Sequence, residues 1–308
     1  MFTRFVVFLA LVLALSACAS QESCNVVPVA EMPLDARSNL LTVPAAIGGK
    51  PVQMLVDTGA ERTVLSETAA RRLGLPQDPK HASHHLGIGG TSSNFDVMVP
   101  GLVLGSTRFP IDRLAVADFS VDHIAGMHAD GLLGADILLA FDVDIDTRNR
   151  MLTLYRARRC PAALPPWKEP AVEIQGVDAK RDRILVPIEV DHLGGLALLD
   201  TGAQATLIGT NFAKRLGVSS DALSSDRTIV AHGAGPQSQT VRLHRFHELR
   251  IGPAVAGSPV LPVVPSETGV DDGIIGGDFF SGRRVWLSFA AQRMFVGTRQ
   301  YRPQKLTN

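Results

Sequence analysis

Two short runs of this chain, Asp57–Gly59 and Asp200–Gly202, share the sequence Asp-Thr-Gly, and each follows an apolar run. Two carboxylates that meet in a cleft cannot both ionise comfortably, so they hold one proton between them. The ionised carboxylate can take a proton from water while the protonated one donates to a carbonyl oxygen, which hydrolyses an amide without a metal or a covalent intermediate. The two runs therefore predict a hydrolytic site with no cofactor and no metal, assembled from two half-sites.

The other residues of each triplet have physical roles beside the aspartate. Thr58 and Thr201 are β-branched and can hydrogen-bond across a two-fold axis, which would lock the two loops together. Gly59 and Gly202 lack a Cβ atom, so that backbone and carboxylate can approach closely. We expect all four residues to support the two aspartates.

The triplets belong to an internal repeat. Three landmarks of the first half return 143 residues later (200 minus 57): Val43-Pro44, Asp57 and Arg72-Leu73-Gly74. A fourth, Asp130–Asp136, returns as Asp272–Asp278 at an offset of 142 (272 minus 130). A long period that occurs only twice indicates a duplicated lobe rather than a solenoid.

Strands are expected to position the triplets. Leu40–Ile47 and Val52–Val56 are apolar runs on either side of a Gly-Gly-Lys-Pro turn, which predicts a β-hairpin that rises into Asp57. The segment Glu67–Leu73 has helical composition and stops at Gly74, a residue that suits a helix C-cap.

The length of 308 residues predicts two lobes that share a cleft. The predicted segments are a signal peptide at 1–17, an N-terminal arm at 18–37, an N-terminal lobe at 38–156, a proline-rich linker at 157–170 and a C-terminal lobe at 171–308.

Composition excludes some classes of protein. Hydrophobic residues make up 45% of the chain, which excludes a disordered polymer. Thirty basic and thirty acidic residues cancel, so no nucleic-acid partner and no electrostatic membrane binding are expected.

Two groups of residues resemble metal ligands but are interpreted otherwise. Asp142, Asp144 and Asp146 alternate with apolar residues, so we expect them on one solvated face of a strand. The histidines at 81, 84 and 85 are interpreted as solvated loop residues.

The N-terminus resembles an export signal. Arg4 precedes the short apolar run Val6–Leu15, and Leu15–Cys18 resembles a bacterial lipobox, which predicts lipidation of Cys18 and a periplasm-facing location in the bacterial cell envelope, anchored to a membrane. Cleavage after Ala19 is the alternative, and it would release a soluble exported protein. Cys24 and Cys160 either form a disulfide in an oxidising compartment or are unrelated thiols.

Further motifs indicate a family. The run 57–65, Asp-Thr-Gly-Ala-Glu-Arg-Thr-Val-Leu, resembles the catalytic loop of retroviral proteases, and 200–208 is similar. The Leu-Gly-Ile-Gly-Gly run at 86–90 resembles their glycine-rich flap tip, and the runs 132–134 and 274–276 resemble the apolar-apolar-Gly segments beneath the catalytic loops. The chain is thus similar to the retropepsin-like aspartic proteases, which include the pepsins, over roughly residues 40–296.

The resemblance implies an all-β, bilobal, pepsin- and retropepsin-like fold of two duplicated barrel-like lobes with short helices. It implies an aspartic endopeptidase with Asp57 and Asp200 as the catalytic pair and an extended peptide as substrate, bound as an added strand. Both lobes lie in one chain, so a monomer is expected. The residues implied for flap or substrate contacts are Gly87, Ile88, Gly89, Gly90, His232 and Gly233.

The chain also departs from its relatives. Ala60 and Ala203 follow the triplets where pepsins usually have serine, so one donor fewer should raise the pKa values of the pair and move the pH optimum above that of pepsin. Ala135 and Gly277 stand where retroviral proteases have arginine, so that arginine's ion pair does not transfer. The alternative function is a non-catalytic peptide-binding or envelope scaffold protein with the same fold.

Overall fold

The computed structural model describes residues 25–87, 90–119, 127–158, 164–175, 177–180, 183–231, 238–265 and 272–298. Its strands in the first half are β1 (Asn25–Pro33), β2 (Thr42–Ile47), β3 (Lys50–Val56), β4 (Val64–Ser66), β5 (Gln77–Gly87), β6 (Gly90–Met98), β7 (Leu102–Leu104), β8 (Thr107–Phe109), β9 (Arg113–Ala117), β10 (Gly131–Leu133), β11 (Asp142–Asp146) and β12 (Met151–Arg158). The helices there are α1 (Glu67–Leu73), α2 (Ala135–Leu138) and a 3-10 turn at Arg37–Asn39.

The second half contains the strands β13 (Ala171–Ile174), β14 (Asp178–Lys180), β15 (Arg183–Val190), β16 (Leu193–Leu199), β17 (Leu207–Gly209), β18 (Thr228–Ala231), β19 (Gln239–Arg245), β20 (Glu248–Ile251), β21 (Ala254–Gly257), β22 (Val260–Val264), β23 (Gly273–Ile275), β24 (Arg284–Ser288) and β25 (Arg293–Gly297). Its helices are α3 (Thr210–Arg215), α4 (Ser220–Ser225) and a 3-10 helix at Gly277–Phe280. The predicted all-β fold of two lobes with short helices is confirmed.

The two lobe sheets have the same strand order. The N-terminal sheet runs β5-β6-β9-β4-β10-β3-β2-β7-β8, and the C-terminal sheet runs β18-β19-β22-β17-β23-β16-β15-β20-β21, with β14 paired to β15. In each lobe one central strand, β10 or β23, is parallel to the strand that leads into the triplet and antiparallel to the strand that follows it. The internal repeat of the sequence is thus a repeat of topology.

Landmarks of the repeat contact each other in space. Asp130, just before β10, forms an ion pair with Arg72 at 2.8 Å. In the second lobe Asp272, just before β23, forms an ion pair with Arg215 at the same distance. Backbone N–H groups of β3 and β16 donate to the same carboxylates at 2.9 Å in both lobes. Each pair therefore fixes the strand beneath a triplet to the helix that follows it.

The predicted local elements of the first lobe are present. Strands β2 and β3 form the hairpin that ends at Val56. Helix α1 begins after Ser66, whose side chain accepts from the N–H of Ala69, and it ends at Gly74, which has a left-handed φ of 70°.

A six-stranded sheet joins the two lobes. Its order is β1-β12-β11-β24-β25-β13, so that strands from the predicted N-terminal arm and from both lobes hydrogen-bond in one sheet. One hydrophobic core cluster extends from Ala30 in β1 to Val296 in β25. The exact segment boundaries stay a prediction.

The interpretation of the three alternating aspartates as solvated residues is wrong. Asp142, Asp144 and Asp146 do share a face of β11, but they are only 4%, 3% and 4% exposed. Trp167, in the segment joining the halves, donates its Nε1–H to Asp144 at 3.0 Å, and the Arg284 guanidinium reaches the same carboxylate at 2.6 Å. Tertiary contacts therefore cover a face whose pattern looks amphipathic.

No helix within the described ranges is long and apolar enough to cross a bilayer. Cys18, Cys24 and Cys160 lie outside those ranges, so lipidation and the disulfide stay predictions.

Candidate active site

The two triplets are held at the ends of equivalent strands. After β3 the backbone N–H of Asp57 donates to the carbonyl of Leu133 at 3.0 Å, and after β16 the N–H of Asp200 donates to the carbonyl of Ile275 at 3.0 Å. Each aspartate is therefore fixed by the central strand of its own lobe, and the two carboxyl groups meet at the interface of the lobes.

Thr58 and Thr201 lock the two loops together. Each backbone N–H donates to the hydroxyl of the other threonine at 3.1 Å. The hydroxyl of Thr58 donates to the carbonyl of Leu199 at 2.7 Å, and that of Thr201 donates to the carbonyl of Val56 at 2.6 Å. Both threonines are fully buried, so these four bonds form without competition from water.

The loop glycines leave room for the opposing carboxyl groups. A Cβ atom at Gly59 would lie 2.5 Å from Cγ of Asp200, and one at Gly202 would lie 2.5 Å from Cγ of Asp57. Real Cβ atoms do not approach other heavy atoms so closely. Each carboxyl group therefore packs against the backbone of the opposite triplet, a contact that only glycine permits.

Backbone donors orient both carboxyl groups in the same way. The N–H groups of Gly59 and Ala60 donate to Oδ1 of Asp57 at 3.0 and 2.9 Å. In the other loop, the two equivalent N–H groups donate to Oδ1 of Asp200 at 2.9 and 3.2 Å. These bonds occupy Oδ1 of each aspartate and involve neither Oδ2 atom.

The electrostatics of the two aspartates differ. Burial, the charge of Asp200 and the hydrogen bond between the carboxyl groups raise the pKa of Asp57 well above its usual range. Burial also raises the pKa of Asp200, but the hydrogen bond with Asp57 and the backbone donors oppose that rise. The two groups therefore titrate as a pair, and the pKa values of both are raised.

A second pair of contacts, which the sequence did not reveal, supports each loop from below. The Thr63 hydroxyl donates to Oδ1 of Asp136 at 2.6 Å and accepts from the N–H of Gly134 at 3.0 Å. Thr206 and Asp278 repeat this contact in the second lobe at 2.7 Å. The only signal in the sequence was that all four residues recur at the repeat offset.

The flap residues are placed only in part. Strands β5 and β6 pair as far as Gly87 opposite Gly90, but Ile88 and Gly89 lie outside the described residues. Strands β18 and β19 pair as far as Ala231 opposite Gln239, and His232 and Gly233 likewise lie outside. The hairpins are therefore present in both lobes, while substrate contacts at their tips stay predictions.

Of the three histidines that were expected in a solvated loop, the structure describes side chains at 81 and 84, and both lie in strand β5 rather than in a loop. His84 is exposed, and His81 is half exposed and contacts the Asp78 carboxylate at 2.7 Å. Among the residues that the structure describes, no group of three His, Cys, Asp or Glu side chains is placed to hold a metal ion.

Comparisons with known proteins match this chain to a family, a relative and a solved structure. The family model described as "Aspartyl protease" matches residues 43–137 and 186–279, more than half of the chain. DNA damage-inducible protein 1 of Yarrowia lipolytica (strain CLIB 122 / E 150) is 32% identical over 120 residues, which covers 38% of this chain but only 28% of that protein. The crystal structure of an aspartic proteinase from Irpex lacteus matches with a TM-score of 0.47 at 15% identity, over 89% of this chain and 97% of that one.

Proposed function

Since this chain belongs to the aspartyl protease family, we propose that it is an endopeptidase whose catalytic pair is Asp57 and Asp200. The observation that carries the proposal is the reciprocal packing of each carboxyl group against the glycine of the opposite triplet. That packing brings two carboxyl groups with raised pKa values into hydrogen-bonding contact.

In the proposed reaction the pair begins with one shared proton. The ionised carboxylate takes a proton from a water molecule as the water oxygen bonds to the peptide carbonyl carbon, and the protonated carboxyl group donates to the carbonyl oxygen. The tetrahedral intermediate then collapses: one of its two hydroxyl groups returns a proton to the pair as the C=O bond re-forms, the C–N bond breaks, and the leaving nitrogen takes the other proton of the pair. The pair ends with one shared proton, as it began. Neither a metal nor a covalent enzyme intermediate is required.

We propose an extended peptide or unfolded protein segment as the substrate. The support is that hairpins β5–β6 and β18–β19 stand at equivalent edges of the two lobe sheets. An extended peptide between such hairpins can bind by main-chain hydrogen bonds, with alternate side chains in pockets. Because both triplets come from one chain, the site is complete in a monomer.

The test replaces Asp57 or Asp200 with asparagine and measures cleavage of a diverse peptide library across pH, with and without pepstatin. Each variant should lose at least about 10³-fold in kcat/KM, because neither carboxyl group alone supplies both the base and the acid. Asp221→Asn, on the exposed helix α4, is the control and should cleave normally. Undiminished cleavage by either variant of this pair of aspartates (the dyad) would refute the assignment. If the wild type binds peptide saturably but does not cleave it, the protein is a scaffold instead.

We further propose that Cys18 carries a lipid anchor that holds the protein in the bacterial envelope, facing the periplasm. The support is the lipobox-like run at 15–18, followed closely by β1, which begins at Asn25. Cys18→Ala should release the protein from membranes into the soluble fraction. A wild-type protein that is already soluble after export would favour the alternative cleavage site.

A further inference from the structure

The hairpin β5–β6 carries a large irregularity at its base. Asp78 pairs with Asp96, but the next pair along the hairpin is Ala82 with Phe95. The residues Pro79–His81 of β5 therefore have no partner on β6. Such a bulge bends its strand, so the outer hairpin, Ala82–Gly87 with Gly90–Phe95, leaves the lobe sheet at a hinge.

A cluster of charged residues lies at this hinge. Asp96 is only 3% exposed, and its Oδ1 accepts from the hydroxyl of Ser83 at 2.5 Å. The Ser83 hydroxyl in turn accepts from Nη1 of Arg62 at 2.7 Å, and Nη2 of Arg62 lies 3.7 Å from Oδ2 of Asp96. Arg113 of β9 approaches the same Oδ2 at 3.5 Å. A buried carboxylate is thus stabilised by two arginines and a serine hydroxyl.

The bulge itself is fixed by the neighbouring carboxylate. Asp78 accepts from the backbone N–H of Lys80 at 3.0 Å and contacts the His81 ring at 2.7 Å. Its Oδ2 also lies 3.4 Å from Nη1 of Arg113. Arg113 therefore contacts both carboxylates of the Asp78–Asp96 pair, which is the last pair before the unpaired residues.

Arg62 connects this hinge to the catalytic loop. It lies five positions after Asp57 and directly before Thr63, which is held beneath the loop by Asp136. Its side chain is 51% exposed, so the contact with Ser83 is not forced by core packing. The second lobe has Ala205 at the equivalent position, and its hairpin β18–β19 pairs without a shift over the described residues.

We propose that Arg62 and Asp96 are positioning residues that set the orientation of the β5–β6 hairpin relative to the catalytic loop. Removing Arg62 takes away the donor to Ser83 and one of the two arginines beside Asp96, and removing Asp96 takes away the carboxylate that Arg62 and Arg113 share; either change loosens the hinge. The consequence for turnover rests on the proposed peptidase function, whereas the hinge itself does not.

The first measurement needs no substrate. Hydrogen exchange is followed in the amides of 82–87 and 90–95, with β18–β19 as an internal reference. Arg62→Met and Asp96→Asn should exchange roughly tenfold faster in the hairpin only, and Arg62→Lys, which keeps the charge, should fall between them and the wild type. Arg250→Met is the matched control, because Arg250 is 45% exposed and forms a 2.8 Å ion pair with Glu248 on β20.

The second measurement is kinetic. Arg62→Met should lower kcat/KM roughly tenfold through both KM and kcat, as hinge changes do, while the pH profile keeps its position because the dyad is untouched. A merely structural role would lower the Tm without altering hairpin exchange or KM. Unchanged exchange in Arg62→Met, which removes only a half-exposed side chain, would overturn the proposal. Absence of cleavage by the wild type would refute the peptidase function, and the exchange result would still decide the hinge.

Discussion

The two lobes of this protein are nearly the same at the floor of the cleft and different above it. At the floor, the triplets, the threonine bonds and the glycine contacts are repeated with distances that agree within about 0.3 Å. Above it, the first lobe has a bulged hairpin with a charged hinge, and the second has a hairpin in register. Chemistry at a two-fold axis demands symmetry only where the two halves touch, so the remaining elements can differ.

The largest effect is expected when the space beside each carboxyl group is filled. Gly59→Ala and Gly202→Ala both place a methyl group 2.5 Å from the opposing carboxyl carbon. Each should lose at least about 100-fold in kcat/KM, because misplacement of reacting groups by about 1 Å costs that much. Gly194→Ala, where a Cβ atom meets nothing within 4 Å, is the control. A large loss in only one lobe would show that the floor is not functionally symmetric.

The threonines give the next largest effect. Thr58→Val and Thr201→Val each remove a buried hydroxyl that donates to the opposite lobe and accepts from it. Each should lower the free energy of unfolding by about 1–3 kcal/mol in urea denaturation, because buried partners are left unsatisfied. The two losses should be alike, and the double variant should lose less than their sum, since the two hydroxyls belong to one network. Strict additivity would contradict that network.

The two aspartates should both lower the stability of the fold at neutral pH. A carboxyl group whose pKa is higher in the folded than in the unfolded state stabilises the fold below its unfolded pKa, and that contribution is lost as pH rises through the folded pKa. Both pKa values are raised. Asp57→Asn and Asp200→Asn should therefore each raise the Tm by roughly 2–4 °C at about pH 7, with little gain at about pH 4.

The same raised pKa values should also determine how cleavage by the wild type depends on pH. Activity requires one protonated and one ionised carboxyl group, so it should peak at weakly acidic to neutral pH. A cleavage maximum at about pH 2, as expected for a pair with a lower first pKa, would contradict this expectation.

The smallest effect concerns the helices after each loop. Ser66 caps α1, whereas Gly209 precedes α3 without a side-chain cap. Ser66→Ala should cost about 1 kcal/mol of unfolding free energy, and Gly209→Ser should add a few tenths, at about the sensitivity of thermal denaturation. If Gly209→Ser lowers the stability, the start of α3 cannot be capped as the start of α1 is, and the two lobes differ there.

The sequence predicted features that depend on local chemistry. The strand, Asp-Thr-Gly and helix order could be read from apolar runs, turn residues and Gly74, and the repeat offset paired Asp57 with Asp200. Each of these signals lies within a few residues of the element that it specifies. The structure accordingly has the hairpin β2–β3 and helix α1 where they were expected.

Features made by distant segments could not be predicted in this way. Alternation in β11 correctly placed Asp142, Asp144 and Asp146 on one face, but nothing in that pattern shows that Trp167 and Arg284 cover it. Likewise the unpaired residues at 79–81 depend on a pairing register that periodicity does not specify. Coverage and register are tertiary properties, set by what else packs there.

The threonine bonds also determine when the site can exist during biosynthesis. Thr58 and Thr201 are 143 residues apart in sequence, and β11 of the first half pairs with β24, which begins only at Arg284. Contacts between such distant segments form late, because the chain must first close a long loop. A growing chain that ends before residue 200 holds Asp57 without its partner, and one that ends before residue 284 lacks the strand that pairs with β11. The topology therefore delays assembly of the pair until β24 has been synthesised, long after Asp57 has left the ribosome.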